Sequence, residues 1–340
     1  MDRLVPRMDQ LTPRHSSELN QSERIRTGST PALFSPSQDA AERFWEFFAA
    51  TVRNPNTREA YLRACFHFAD WAESHRLTLK TIKPMHVAAY VEMLSGLRSV
   101  ATCKLAVAAI RCLFNYLVIT QIVPVNPATP VRPPRESVTK GKTPILSQED
   151  MRTLFEGIPK EVISDYRDRA MIAIMAYSFA RVGSVCTMKV ADFYTQGKRS
   201  YFRLNTKAGK YVVIPAHHIA QEYVDEYIDF CGIADQRKMP LFRSTHRLTK
   251  PHEADYRRRT TAMTTNAVCL TVKRRCKAVG LPPEISPHSF RGTGITAYLR
   301  NGGKLETAAL IAGHNSTVTT QLYDHRDEEI TLSEMERISF

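Results

Sequence analysis

The chain has 340 residues, 43% hydrophobic and 24% charged, which excludes a disordered or collagen-like polymer and predicts two domains of ordinary size. Lysine and arginine outnumber aspartate and glutamate 47 to 34, a formal charge of +13 at pH 7 that favours a polyanionic partner, either nucleic acid or an acidic membrane surface. The longest apolar stretch, residues 170–180, falls short of the ~20 residues that span a bilayer, and MDRLVPRMDQLTPR mixes charge with proline, so neither a transmembrane segment nor a secretory signal is expected.

Residues 1–36 are rich in Ser, Pro, Arg, Gln and Thr without a sustained apolar period, which predicts a flexible tail, with a DNA-touching arm as the sharper alternative. From Ser37 the pattern changes. Phe44, Phe47 and Phe48, then Tyr61, Leu62, Cys65, Phe68, Ala69 and Ala72, recur at three- and four-residue steps, as the buried stripe of a helix does. Two further helices are predicted, over 85–94 just after Pro84 and over 100–120, with Leu105, Ala108, Ala109, Cys112, Leu113, Tyr116 and Leu117 on one side. Together these make a small helical domain, 37–123. Pro124, Pro127, Pro130, Pro133 and Pro134 can neither continue a helix nor sit inside a sheet, so 124–143 reads as the interdomain linker.

A second domain, 144–340, opens at Ser147, an N-cap candidate with Asp150 three residues on. Residues 166–177 read as a buried helix. Residues 200–215 differ in kind: YFRLN and YVVIP flank the polar turn Lys207-Ala208-Gly209-Lys210, the pattern of a hairpin. Helical periodicity returns over 216–231, 262–279, 289–299, 305–311 and 327–338. The fold class is therefore mainly α with one small antiparallel sheet. Cys65, Cys103, Cys112, Cys186, Cys231, Cys269 and Cys276 are odd in number and lie mostly in apolar periodic segments. They never form the close pairs of a structural zinc site, and are read as reduced core residues. No metal or cofactor site is expected.

The segment SPHSFRGTGITAYLRNG places His288 and Arg291 three residues apart near a helix N-terminus, where orphan N–H groups and the dipole favour an anion such as phosphate. Alone, His-x-x-Arg is also an ordinary solvated surface pair. Gly292-Thr293-Gly294 with Ala297 imitates a dinucleotide-binding fingerprint but follows no strand, so that reading is rejected. Three other places supply phosphate donors or a nucleophile: Arg181 at a helix end, the turn with Lys207 and Lys210, and LIAGHNSTVTTQLYDH with His314 and Tyr323.

In this order the segments resemble the tyrosine recombinase (phage integrase) family, over most of the chain. Arg181 falls on the family's first arginine, usually in a Gly-Leu-Arg-hydrophobic-Ser-Glu-Leu context and here Phe179-Ala180-Arg181-Val182-Gly183-Ser184-Val185. Lys207 falls on the hairpin lysine, His288 and Arg291 on the His-x-x-Arg pair, His314 on the Gly-His position and Tyr323 on the tyrosine nine residues later. All six positions are filled. The departure is Ser184, where an acid is usual, and it leaves open how Arg181 is oriented.

The resemblance implies a two-domain architecture, a helical SAM-like core-binding domain and an α/β catalytic domain. It also implies a site-specific recombinase that cleaves and rejoins DNA through a 3′-phosphotyrosine, without metal or nucleotide. Two planar guanidiniums, Arg181 and Arg291, can hold the non-bridging oxygens of a phosphodiester bidentately. The imidazole of His288 suits the proton lost by Tyr323, Lys207 is the candidate acid for the departing 5′-oxygen with Lys210 in reserve, and His314 would donate to the phosphate.

By the same resemblance the protein clamps double-stranded DNA between its domains and works as a homotetramer on two sites, the helix over 327–338 docking on a neighbouring protomer. A second recombinase or an accessory protein is left open. Arg257-Arg258-Arg259, Lys273, Arg274, Arg275, Lys277, Lys104 and Arg111 are candidate phosphate contacts. A cytoplasmic, nucleoid-associated location is expected, with no membrane partner. Two alternatives stand beside this reading: a relaxing topoisomerase of the same chemistry, and a DNA-binding or architectural protein of the same fold that has lost catalysis. Each residue also has its plain reading, Tyr323 as a core aromatic, Lys207 as a solvated turn lysine and His314 as a helix cap.

Overall fold

The computed structural model describes residues 21–135, 143–206, 211–245, 256–314 and 316–324. The chain divides into two compact units, Met1–Ser137 and Val138–Phe340. Its fold is mostly helical with one three-stranded antiparallel sheet.

Among its described residues the first unit holds the α-helices α1 (Gln21–Thr27), α2 (Gln38–Glu46), α3 (Pro55–Ser74), α4 (Pro84–Leu97) and α5 (Val100–Ile119). Helices α2, α3 and α5 start where the sequence supplies a capping side chain, and α4 starts on Pro84. The Ser37 hydroxyl accepts from the Ala40 N–H at 3.2 Å, Asn54 caps α3 ahead of Pro55, and the Ser99 hydroxyl accepts from the Thr102 N–H at 3.3 Å. The apolar faces meet in a core dense in aromatic rings, in which Phe34, Phe44, Phe48, Phe66, Phe68 and Phe114 are fully buried. The α5 helix is long and apolar enough to cross a membrane by length and composition, which the expectation of no such segment passed over. Its buried side, Val107, Ile110, Leu113, Phe114 and Leu117 included, lies in this core.

Two predicted boundaries are corrected by this unit. Residues 21–36, taken as part of a flexible tail, pack on it: Leu33 and Phe34 are in the core, and the Arg24 guanidinium donates to Asp70 at 2.5 Å. Residues 1–20 lie outside the described residues. The first half of the proline-rich stretch, taken as linker, also belongs here. Ala128 and Val131 join the core, and Arg111 donates to the carbonyls of Ala128 (3.2 Å) and Val131 (2.6 Å).

In the second unit come α6 (Gln148–Glu156), α7 (Ile163–Tyr177) and α8 (Val182–Thr187), then β1 (Phe193–Gln196), β2 (Arg199–Asn205) and β3 (Tyr211–Pro215). They are followed by α9 (His218–Cys231), α10 (Thr265–Ala278), α11 (Pro287–Arg300), α12 (Leu305–Ala312) and α13 (Thr317–Gln321). Ser147 caps α6 as predicted, its hydroxyl accepting from Asp150 N–H at 3.0 Å while the Asp150 carboxylate accepts from Ser147 N–H at 2.9 Å. The sheet has three strands in the order β1-β2-β3, with Phe202 paired to Phe193 on one side and Ile214 on the other. The hairpin reading found β2 and β3 and missed β1.

The α7 helix is the centre of this unit, buried nearly all round and packed against α8, α9, α10 and α11. It carries one charged knot. Asp168, wholly buried, accepts from the guanidiniums of Arg167, Arg274 and Arg275 at 2.9–3.2 Å, and Arg275 also reaches Asp165 at 2.6 Å. A buried carboxylate is tolerated only when its lone pairs are met in this way. Five of the seven cysteines are buried, as expected, Cys269 is partly buried, and Cys112 is exposed against expectation.

Candidate functional site

Five of the predicted site residues, Arg181, His288, Arg291, His314 and Tyr323, come together where α11, α12, α13 and the start of α8 meet. Lys207 and Lys210 lie outside the described residues, as does the helix expected over 327–338.

The α11 helix starts on Pro287, pre-set for the first helical position, and the Ser286 N–H donates to the Ser289 hydroxyl at 3.1 Å. His288 sits in this first turn and Arg291 one turn on, so both project from the same end. Arg291 is 1% exposed. It donates to the Phe179 carbonyl, to the Ala312 carbonyl at 2.6 Å and to His314 Nε2 at 2.6 Å. Arg181, just ahead of α8, donates to the same Ala312 carbonyl at 3.2 Å. Two guanidiniums therefore share one carbonyl oxygen, and among the described residues no carboxylate pairs with either. Among the described residues Arg291 Nε meets no hydrogen-bond acceptor. Burial, reinforced by the charge of Arg181, pushes the Arg291 guanidinium down to about 10. Such a pair is short of one anion.

Gly313 ends α12 in the left-handed region at φ 58°, which lets the chain reverse so that the His314 N–H donates to the Ala309 carbonyl at 2.9 Å. The turn delivers the His314 ring between Arg291 and the Thr320 hydroxyl, which lies 2.9 Å from Nδ1. Burial first, then Arg291, Arg181 and His288, lowers its pKa to about 4. Tyr323 follows α13 and is held at its backbone: its N–H donates to the Thr320 carbonyl at 3.0 Å, and its carbonyl accepts from the Thr296 hydroxyl at 2.9 Å. Its ring packs with Phe179, Ile295, Leu299, Ala308 and Ala312 and is 6% exposed. The hydroxyl meets His288 Nε2 at 2.7 Å.

The electrostatics assign the proton in that pair. Part of the His288 ring reaches water, but lost hydration on its inner face lowers its pKa, and Arg291 and Arg181 lower it further. Burial raises the Tyr323 phenol, against the pull of the same two cations. Both shifts favour a neutral phenol facing a neutral imidazole; in the tautomer with Nε2 bare the phenol donates to it, the arrangement in which a hydroxyl can lose its proton as it attacks.

Gly292-Thr293-Gly294, rejected as a dinucleotide motif, has a packing reason. A Cβ on Gly294 would overlap the Ala176 carbonyl oxygen of α7, and one on Gly292 would stand 2.8 Å from Ile145 Cδ1 and 3.3 Å from Tyr323 Cε1. Between them the Thr293 hydroxyl accepts from the Leu146 N–H at 3.0 Å. At the unusual position, the Ser184 hydroxyl donates to the Asn205 carbonyl at the end of β2, and Arg181 is oriented by the Ala312 carbonyl instead of an acid.

The sequence reading missed Thr296, Thr320 and the carbonyls of Phe179 and Ala312. Carbonyls leave no trace in a sequence, whereas Thr320, three before Tyr323, shares its turn and could have been flagged by spacing. Several candidate DNA-contacting cations turn out to hold the fold. Arg111 caps the chain at Ala128 and Val131, Arg257 donates to the Gly232 carbonyl and to Asp235, and Arg275, like exposed Arg274, bonds to Asp168. Lys104, Lys273 and Lys277 are exposed. Among the described residues no three His, Cys, Asp or Glu side chains gather as metal ligands.

Comparison with known proteins identifies the family. The tyrosine recombinase XerD of Corynebacterium glutamicum is 26% identical over 280 residues, which are 79% of this chain and 87% of the relative. A solved XerH site-specific recombinase, bound to palindromic difH substrate after cleavage, is 18% identical and has a TM-score of 0.65, the match covering 91% of this chain and 90% of that one. A lambda integrase tetramer bound to a Holliday junction is 17% identical with a TM-score of 0.61, covering 83% of this chain and 75% of that one. Both share the fold. The model of the phage integrase N-terminal SAM-like domain matches residues 41–121, and that of the phage integrase family matches 144–329. The chain belongs to the phage integrase family, the tyrosine recombinases.

Proposed function

We propose that this protein is a site-specific recombinase that cuts and rejoins double-stranded DNA by transesterification, with Tyr323 as nucleophile. The observation that carries the reading is the 2.7 Å hydrogen bond from the Tyr323 hydroxyl to His288 beside two guanidiniums that lack an anion. A scissile phosphate takes the place of that anion. Arg181 and Arg291 bind its non-bridging oxygens, His314 donates a further hydrogen bond, and each such donor is worth on the order of 10²–10³ in rate. As the Tyr323 oxygen attacks phosphorus, its proton passes to His288 Nε2. The 5′-oxygen leaves with a proton from Lys207, whose place in the sequence is between β2 and β3. The 3′-phosphotyrosine conserves the bond, so a 5′-hydroxyl from another strand reverses the step and reseals DNA without ATP.

In this reading residues 144–340 form the catalytic domain and the helices of the first unit form a DNA-contacting domain. The lambda integrase neighbour is a tetramer on a Holliday junction, and a homotetramer on two DNA sites is the corresponding assembly here, working on nucleoid DNA in the cytoplasm. The test uses short labelled duplexes tiled across DNA flanking the gene, each nicked just 3′ of the candidate cleavage position so that the 5′-hydroxyl diffuses away. Protein and duplex are mixed with chelator and run on a denaturing gel. A covalent adduct that disappears in Tyr323→Phe is expected. Adduct formation that persists in Tyr323→Phe would refute Tyr323 as the nucleophile, and none on an independently mapped site would favour the DNA-binding protein without catalysis.

A further inference from the structure

The hydrogen bonds of His314 identify its tautomer, and the reaction needs the other one. Arg291 Nη2 lies 2.6 Å from His314 Nε2. A guanidinium can only donate, so Nε2 is the bare, accepting nitrogen. The ring is neutral at pH 7, its pKa being lowered to about 4, and its proton therefore sits on Nδ1. From there it is donated to the Thr320 hydroxyl 2.9 Å away. In this tautomer His314 has no N–H to offer a phosphate. Once a phosphate draws the Arg291 donors to its own oxygens, Nε2 must carry the proton to contribute, and Nδ1 must become an acceptor.

The hydroxyl of Thr320 is the group that permits the exchange. It has one proton to donate and lone pairs to accept, so it bonds Nδ1 in either tautomer by rotating about its Cβ–Oγ bond, with no movement of heavy atoms. Thr320 is wholly buried, so water cannot stand in for it. Its backbone carbonyl also accepts from the Tyr323 N–H at 3.0 Å, placing this hydroxyl on the turn that presents the nucleophile. A side chain without the hydroxyl would leave Nδ1 unpaired in both states, and the resting bond from Arg291 would then hold the proton on Nδ1. An amide or a carboxylate would favour one tautomer.

We propose that Thr320 is a positioning residue that lets His314 change from the Nδ1–H tautomer at rest to the Nε2–H tautomer that donates to the bound phosphate. This rests on the reading of the site as a phosphate site. The exchange balances because Nε2 takes one proton from solvent and Nδ1 returns one to solvent as the half-buried ring opens, so the ring is neutral before and after and passes through the imidazolium in between.

The experiment is nitrogen NMR of the imidazole rings in protein labelled with 15N-histidine and 15N-arginine, titrated with inorganic phosphate. The arginine Nε resonances of Arg181 and Arg291, assigned by substitution, report anion binding independently. In the wild type His314 is expected as Nδ1–H without phosphate and as Nε2–H with it. Thr320→Ser should behave the same way, whereas Thr320→Val should keep Nδ1–H with phosphate bound. Adduct formation on a nicked duplex should fall roughly tenfold in Thr320→Val, the rate equivalent of one hydrogen bond, and stay within about twofold in Thr320→Ser. If phosphate moves the arginine signals but wild-type His314 stays Nδ1–H, or if Thr320→Val switches as the wild type does, the proposal is overturned and the site reading stands. If phosphate leaves both arginine signals unmoved, the site reading fails and the proposal with it. Should Thr320→Val unfold, Thr320→Cys, which keeps a weak donor and acceptor at similar volume, takes its place with an intermediate switch expected.

Discussion

Phe179 stands at φ 51°, in the left-handed region that suits glycine, two residues before Arg181, where the family pattern has glycine. Replacing it by glycine therefore sets two effects against each other. Relief of the backbone would contribute about 1–2 kcal/mol. Against this, the ring is 5% exposed, packs with Ile295, Leu299 and Tyr323, and meets Tyr298 edge-on at 6.0 Å. Removing a buried phenyl group costs about 3–5 kcal/mol, and the freer unfolded glycine adds about 0.5–1 kcal/mol. Packing wins, and Phe179→Gly is expected to destabilise the second unit by about 3 kcal/mol. With a urea m-value of about 3 kcal/mol/M, its midpoint falls by about 1 M. The chain itself provides the control. Both tryptophans, Trp45 and Trp71, lie in the first unit, so their emission follows that unit while far-UV circular dichroism sees both. The dichroism midpoint of the second unit should drop while the tryptophan midpoint stays. An unchanged or raised midpoint would show that the strain outweighs the ring, and would refute the reasoning.

Other expectations follow from the same contacts. Gly294→Ala places a methyl group on the Ala176 carbonyl oxygen and forces α11 from α7; a loss of more than about 3 kcal/mol is expected, read as insoluble expression or a collapsed melting transition. Arg291→Lys cannot reach the Phe179 and Ala312 carbonyls and a phosphate together, and adduct formation on a nicked duplex should fall at least about 100-fold while binding of duplex changes much less. The folded-state pKa values of His288 and His314 are both depressed, the latter to about 4, so the unfolded chain binds more protons below its ordinary histidine value of ~6.5. Stability should decline as pH falls from about 6.5 to about 4, and His314→Gln should flatten that slope in urea titrations across the window. Thr296→Val removes the hydroxyl that holds the Tyr323 carbonyl, and about 1–2 kcal/mol of stability should go with it by thermal melting.

How much of this was legible in the sequence follows from which atoms carry each feature. The site residues are side chains whose chemistry is specific, and it was their order along the chain, set against the family's pattern, that singled them out; Ser286 and Pro287 mark the start of α11 and Gly313 the end of α12. The long helices were legible from a sustained apolar period between caps. What stayed hidden has no period to show. β1 is four residues long, with one residue, Phe193, buried. Residues 21–36 fold because Leu33, Phe34 and Arg24 find partners in α3 and α5, and a tertiary contact of that sort looks like a polar tail when read locally. The cationic residues misled in the opposite direction. Composition counts Arg111, Arg257 and Arg275 as free positive charge, whereas each is committed to a carbonyl or carboxylate within its own unit.

That last correction bears on how the protein can hold DNA. A guanidinium already neutralised by buried carboxylates neutralises no phosphate, so the salt dependence of binding counts only cations free of such a pairing. Arg275, 12% exposed at its side chain and bonded to two carboxylates, should contribute nothing to the slope, while Lys273 and Lys277 on the exposed face of the same helix, α10, are placed to contribute. Replacing either lysine by alanine should lower the slope of log K against log salt by about 0.9 without unfolding the chain. Arg275→Ala should leave that slope in place and instead cost stability, because Asp165 and Asp168 would lose buried partners. A reduced slope with full stability in Arg275→Ala would mean that the buried knot around Asp168 is not what fixes α10, and that the arginine reaches the DNA.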